Sequence, residues 1–212
     1  VAVDDAYTAS EDNTVTLNPL ALDTDADGDT LTITSINGTA LTGSAQTIAV
    51  TNGTVSISAS GIITFTPALN FNSATAVSFP YVISDGHGGT ATANQLITVT
   101  SVNDNPVAVD DAYTASEDNT VTLNPLSLDT DADGDTLTIT SINGTALTGS
   151  AQTIAVTNGT VSISASGIIT FTPALNFNSA TAVSFPYVIS DGHGGTATAN
   201  QLITVTSVND AP

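Results

Sequence analysis

The sequence predicts an all-β protein: two tandem seven-stranded antiparallel β-sandwiches set end to end. Three observations carry this expectation. First, the chain repeats. Val1-Ala-Val-Asp-Asp-Ala-Tyr recurs from Val107, an offset of 107 − 1 = 106, and 2 × 106 = 212 is the full length. The copies differ at Ala21 against Ser127 and at Asn105 against Ala211, so 106 − 2 = 104 positions are identical. A period of that length is a small domain, too long for the coil of a solenoid. Second, Thr, Val and Ile, which suit a half-buried pleated surface, fill short runs of period two. Third, Asn-Gly and Ser-Gly pairs punctuate those runs, and no stretch shows a helical period.

In chain order, the first strand spans 6–17 and is broken near Glu11. The second spans 30–36, with Leu31 and Ile33 on one face. Strands at 46–51 and 54–58 flank Asn52-Gly53, and Val55 and Ile57 share a face. Strand 62–66 pairs Ile63 with Phe65. Strand 77–84 aligns Val77, Phe79, Tyr81 and Ile83, and 91–101 aligns Ile97 and Val99. Seven short strands in about 100 residues argue an immunoglobulin- or cadherin-like sandwich. Pro80 interrupts the most apolar strand and cannot donate a ladder bond, so it is expected at an edge or bulge. The expected domains are 1–104 and 105–212, with a linker at about 102–110. An odd number of strands puts the termini of each copy at opposite poles. By the same count, loop 18–29 falls at the C-terminal pole and loop 85–90 at the N-terminal pole.

Charge narrows the function. The chain has 20 acids, no Lys or Arg and a formal charge of −20, yet 41% of it is apolar, enough for a core. Nucleic acid and anionic membranes are poor partners, since nothing can neutralise phosphate. No apolar run reaches the roughly 18 residues of a membrane span. The absence of Cys excludes disulfides, thiolate metal sites and Cys nucleophiles. No signal peptide is visible, and an export signal is expected elsewhere in a longer chain.

Acids that repel one another call for a bound cation. In the first copy they cluster as Asp4-Asp5, Glu11-Asp12, Asp23-x-Asp25-x-Asp27-Gly28-Asp29, Asp85 and Asn103-Asp104. In the second they are Asp110, Asp111, Glu117, Asp129, Asp131, Asp133, Asp135, Asp191, Asn209 and Asp210. Asp-x-Asp-x-Asp-Gly begins like an EF-hand loop, but its twelfth position, Thr34, is not the bidentate Glu and no helix pair flanks it. Hard oxygen donors without Cys favour Ca²⁺ over zinc or copper. Since Ca²⁺ takes about 6–8 oxygens, the acids of one copy allow roughly 3–5 ions. The clustering on both sides of Asn103-Asp104-Asn105-Pro106 predicts a cation shared between copies, and sites at the two outer ends are expected to be incomplete. Ser84, Asp85 and His87 are neighbours on one turn without an elbow or oxyanion motif, so the chain is not expected to be an enzyme. Asn-Gly-Thr at Asn37, Asn52, Asn143 and Asn158 reads as turn chemistry.

Asp25-Ala-Asp-Gly-Asp-Thr-Leu-Thr, Gly61-Ile-Ile-Thr-Phe-Thr-Pro-Ala-Leu-Asn-Phe-Asn, Tyr81-Val-Ile-Ser-Asp-Gly-His-Gly-Gly-Thr-Ala and Val102-Asn-Asp-Asn-Pro together resemble the bacterial cadherin-like tandem repeats of giant RTX adhesins, over both copies. The resemblance implies a Ca²⁺-dependent Ig-like sandwich with Ca²⁺ at domain junctions. It matches Asp104 to the linker acid, Asp85 to the Gly-rich-loop acid, Asp25, Asp27 and Asp29 to the acidic loop, and Glu11 loosely. Pro80 departs from the usual Thr or Ser, and the RTX nonapeptide itself is absent. The implied function is a Ca²⁺-rigidified extender on the bacterial cell surface, extracellular and monomeric, whose partners are identical neighbouring repeats. It projects a distal ligand-binding region away from the cell. The alternative is an adhesive module that itself binds a carbohydrate, ice or a partner repeat.

Overall fold

The computed structural model describes residues 1–209. It divides into two compact units, the first Val1–Val102 and the second beginning at Asn103. No α-helix occurs among the described residues. Unit 1 contains β1 (Asp5–Ser10), β2 (Val15–Leu17), β3 (Thr32–Ile36), β4 (Thr39–Ala40), β5 (Gln46–Val50), β6 (Gly53–Ile57), β7 (Ile63–Pro67), β8 (Ser73–Ser84) and β9 (Thr90–Thr100). Unit 2 repeats them as β10 (Asp111–Ser116), β11 (Val121–Leu123), β12 (Thr138–Ile142), β13 (Thr145–Ala146), β14 (Gln152–Val156), β15 (Gly159–Ile163), β16 (Ile169–Pro173), β17 (Ser179–Ser190) and β18 (Thr196–Thr206). Each unit is the expected two-sheet sandwich, but of nine strands rather than seven, because the run 6–17 divides in two and a short strand forms at Thr39–Ala40. In unit 1 a five-stranded sheet, β1-β9-β8-β3-β4, faces a four-stranded one, β2-β7-β6-β5.

The period-two pattern sets the core. Val55, Phe65, Phe79, Tyr81, Ile83 and Ile97 all turn inward and are buried. Phe65 and Phe79 meet across the two sheets with ring centroids 6.1 Å apart. Gly53 is fixed by that packing: a Cβ there would lie 2.6 Å from the Phe65 ring. Asn37 and Gly38, both at positive φ (45° and 74°), make the two-residue turn between β3 and β4. The edges beside this turn are closed by amide side chains. Asn37 Nδ2 donates to the Ala49 carbonyl of β5 at 3.0 Å, and Gln46 Nε2 donates to the Ala40 carbonyl of β4 at 3.1 Å. Unpaired strand edges otherwise invite pairing with other chains.

Three details differ from expectation. The run 6–17 is two strands that lie in different sheets. At Glu11 the chain leaves the five-stranded sheet, Asp12 takes a positive φ of 61°, and β2 returns in the opposite direction along β7. The strand count therefore shifts by one, and loop 18–29 lies at the N-terminal pole of its unit, not the C-terminal one. Val3 N–H donating to Asp23 Oδ1 at 2.8 Å and His87 Nδ1 lying 3.1 Å from Asp29 Oδ2 show this directly. Next, the first and last strands pair in parallel, Asp5 opposite Gln95 through Ser10 opposite Thr100. Last, Pro80 lies in a central strand. The β3 pairing ends at Ile36 opposite Tyr81, and the Pro80 carbonyl accepts from the Asn37 N–H of the following turn at 2.7 Å. The missing Pro80 N–H faces the same side, beyond the end of β3, so no ladder bond is lost.

A tyrosine hydroxyl pins the loops of the N-terminal pole. Tyr81 Oη lies 2.9 Å from the carbonyls of Val3 and Pro19, 3.0 Å from each Asp23 carboxylate oxygen and 3.4 Å from Asp5 Oδ2. Burial first, then the Asp23 carboxylate, pushes its pKa well above that of an ordinary tyrosine, so it stays a donor. Asp5 also accepts from Gln95 Nε2 at 2.7 Å. Unit 2 adds one bond. Ser127, in place of Ala21, donates its hydroxyl to Asp111 Oδ1 at 3.2 Å. Ser127→Ala is expected to destabilise unit 2 by about 1 kcal/mol, and Ala21→Ser to stabilise unit 1 similarly. Paired thermal melts check this, and two unchanged curves would refute it.

Candidate metal centre

The acidic loop of unit 2 is shaped by its own main chain. Asp131 Oδ1 accepts the N–H groups of Asp133 at 3.0 Å and Asp135 at 3.2 Å, which curls the loop and turns the other carboxylate oxygen inward. Asp191 follows β17 in the turn Asp-Gly-His-Gly-Gly and is 3% exposed. Its oxygens accept from the N–H groups of His193 at 2.7 Å and of Gly194 and Gly195 at 3.0 Å, and from Asn103 Nδ2 at 2.9 Å. The Asn103 bond is the largest of several effects that hold Asp191 below the usual carboxylate range; burial opposes it, and the N–H groups of the turn add to it. Gly195 leaves room for this carboxylate: a Cβ would lie 2.2 Å from Asp191 Oδ2, so the Asp191 side chain would have to move.

These two loops converge. One carboxylate oxygen each from Asp131, Asp135 and Asp191 lie within 4.8 Å of one another. Residues ahead of β10 join them, for Asp104 N–H donates to Asp133 Oδ2 at 2.7 Å. His193 Nδ1 lies 2.9 Å from Asp135 Oδ2 at the rim. Anions this close repel by several kcal/mol per pair at an effective dielectric of about 20. Asp131 Oδ2 is buried without a hydrogen-bond partner. A hard divalent cation with oxygen ligands fits this donor set. In unit 1, Asp25 Oδ1 likewise accepts from Asp27 and Asp29 N–H, and Asp85 Oδ1 from His87 and Gly89 N–H. The Asp29 and Asp27 N–H groups lower the pKa of Asp25. A cavity of about 200 Å³ lies between Asp25 and Asp85.

The other acids singled out in the sequence accept hydrogen bonds from donors of their own units. Asp4 and Asp110 accept from the main-chain N–H groups of Asn94 and Asn200, each at 2.7 Å. Asp5 and Asp111 are buried on Gln95 and Gln201, and Asp23 and Asp129 hold the Tyr81 and Tyr187 hydroxyls. Glu11 and Glu117 are buried at the far pole of their units. Glu11 accepts from Val102 N–H and from Asn72 Nδ2 at 3.1 Å. Asn209 closes the described residues, and Asp210 lies outside them. Sequence reasoning missed Tyr81, which reads as one more inward residue of an alternating strand. His87 and His193 lie in Gly-rich turns, and nothing in the sequence marks their contacts with Asp29 and Asp135.

Each unit is thus an immunoglobulin-type sandwich with acidic loops at its N-terminal pole. The Bacterial Ig domain family matches residues 1–99 and 103–206, and the chain belongs to that family as two tandem domains. Domains of this family are usually extracellular. No helix among the described residues is long and apolar enough to cross a membrane. No curated protein matches the chain. Among solved structures, it resembles the human desmocollin-1 ectodomain (10% identity, 99% of this chain, 40% of that chain, TM-score 0.46). It also resembles the protocadherin gammaB4 extracellular domain (17%, 98%, 32%, 0.45) and an endo-fucoidan hydrolase of glycoside hydrolase family 107 (21%, 98%, 28%, 0.33). The chain thus spans between 28% and 40% of the length of those structures, and at these scores nothing of their activities or partners carries over.

Proposed function

We propose that the chain is a stretch of a Ca²⁺-rigidified structural extender in a bacterial cell-surface adhesin, one that holds a distal ligand-binding region away from the cell. The observation that supports it best is the buried, partnerless Asp131 Oδ2 beside Asp135 and Asp191. An oxygen-only site of this kind suits Ca²⁺, which accepts carboxylates, carbonyls and waters in a flexible shell. Asn103 and Asp104 are hydrogen-bonded to the loops that supply the ligands. A cation there ties the segment leading into β10 to unit 2 and removes its freedom to swivel. The near-identity of the copies suits a role in which length matters more than a particular surface.

Ca²⁺ is expected to raise the melting temperature, with about 2.7 kcal/mol gained per site at 100 times Kd. Magnesium, which demands a tight octahedron, should substitute poorly. Melting in Ca²⁺ and in chelator at constant ionic strength checks this. Small-angle scattering of the same samples should show a narrower distance distribution with Ca²⁺. Identical melts would sink the cation, and identical scattering would sink the stiffening.

A further inference from the structure

The parallel pairing of β1 with β9 has a mechanical meaning. The chain enters a unit at the start of β1 and leaves it past the end of β9, and both strands run from the entry pole to the exit pole. Tension between the two ends therefore slides β1 against β9 along their length. All six register pairs, Asp5–Gln95 to Ser10–Thr100, are loaded together rather than opened one at a time. A ladder of six pairs ends where either strand turns away, and here side chains continue it. At the entry end, Asp4 Oδ1 takes the Asn94 main-chain N–H at 2.7 Å, and Gln95 Nε2 donates to Asp5 Oδ2 at 2.7 Å. At the exit end, Glu11 N–H still donates to the Thr100 carbonyl at 2.9 Å. In a parallel ladder the Val102 N–H would next reach the Glu11 carbonyl. The main chain has already swung toward Asp12, and the Glu11 carboxylate takes that N–H instead. Glu11 is fully buried and held from its other side by Asn72 Nδ2. Unit 2 repeats the arrangement: Asn200 N–H on Asp110 at 2.7 Å, Gln201 on Asp111 at 2.8 Å, Val208 N–H on Glu117 at 2.6 Å and Asn178 on Glu117 at 2.8 Å.

We propose that these carboxylates, Asp4 and Glu11 in unit 1 and Asp110 and Glu117 in unit 2, lengthen the terminal ladder at both ends into a clasp that bears tension along the chain. The source of tension rests on the extender reading; the clasp itself does not. Hydrogen bonds to a charged acceptor are stronger than neutral ones, and forced unfolding is governed by the unfolding rate.

The test is single-molecule pulling of the 212-residue chain through its two ends at constant load, in chelator. Two variants are compared with the parent: Glu11→Gln with Glu117→Gln, which keeps the shape and removes the charge, and Asp4→Ala with Asp110→Ala, at exposed positions where folding is not at risk. The control is Ile48→Val with Ile154→Val, in buried positions of β5 and β14, far along the other sheet. Compared at equal denaturant midpoints, the clasp variants are expected to unfold about tenfold faster under load and the control less than about twofold. Equal acceleration in clasp and control variants, or none in the clasp variants, overturns the proposal. A clasp seen in a chain whose scattering ignores Ca²⁺ would overturn the extender reading alone.

Discussion

Phe171→Ala is expected to split the melting of this protein into two transitions. The Phe171 ring is fully buried between the sheets of unit 2, 6.0 Å from the ring of Phe185, and its edge covers Gly159 so closely that no Cβ fits there. Truncation removes the ring from a site that cannot collapse around it, because both neighbouring strands are fixed by full ladders, Val161 and Val121 being its register partners. Loss of a buried aromatic costs about 3–5 kcal/mol. For a domain of this size that lowers the melting temperature of unit 2 by more than about 10 °C. Unit 1 carries the same core around Phe65 and serves as the internal standard. Calorimetry reads both. A single transition shifted as a whole would show that the two units do not melt independently.

If Ca²⁺ binds as proposed, Gly195→Ala is expected to remove the stability it adds to unit 2 while leaving the strands in place. The added Cβ would fall 2.2 Å from Asp191 Oδ2 and 2.9 Å from Asn105 Oδ1. Asp191 must then rotate away, which breaks its bonds to Asn103 and to the turn and takes its oxygen out of reach of Asp131 and Asp135. The whole increment of about 2.7 kcal/mol per site at 100 times Kd is at stake. Isothermal titration of the variant with Ca²⁺, set against the parent, measures it. Unchanged affinity would mean that Asp191 is not a ligand. Gly89→Ala should act alike in unit 1, where the Cβ would lie 2.1 Å from Asp85 Oδ2.

Much of this was legible in the residues. Alternation at Val77, Phe79, Tyr81 and Ile83 or at Ile63 and Phe65 fixes which side chains face inward, because a strand has a period of two whatever it pairs with. Asn37-Gly38 specifies its turn, since both residues tolerate positive φ. Glu11 misled for a physical reason. A break in a hydrophobic run looks the same whether the strand bends or reverses, and only a reversal moves loop 18–29 to the other pole. The surroundings of the acids are hidden in the same way. Asp4 and Asp131 are each an aspartate in an acidic run, but one caps the main chain of a residue 90 positions away and the other turns an oxygen toward its acidic neighbours.

The repeat, the all-β class, the inward faces and the excess of negative charge can be read from the residues alone, since these follow from local periodicity and composition. Tertiary structure alone decided which acids meet. Asp131, Asp135 and Asp191 are brought within 4.8 Å by a strand reversal and two glycine-rich or acidic turns, whereas Asp4, Asp5 and Asp23 are drawn to N–H and O–H donors of distant strands. A carboxylate's role depends on the donor it faces, and that donor is placed by the closing of the sandwich, not by its neighbours in the chain.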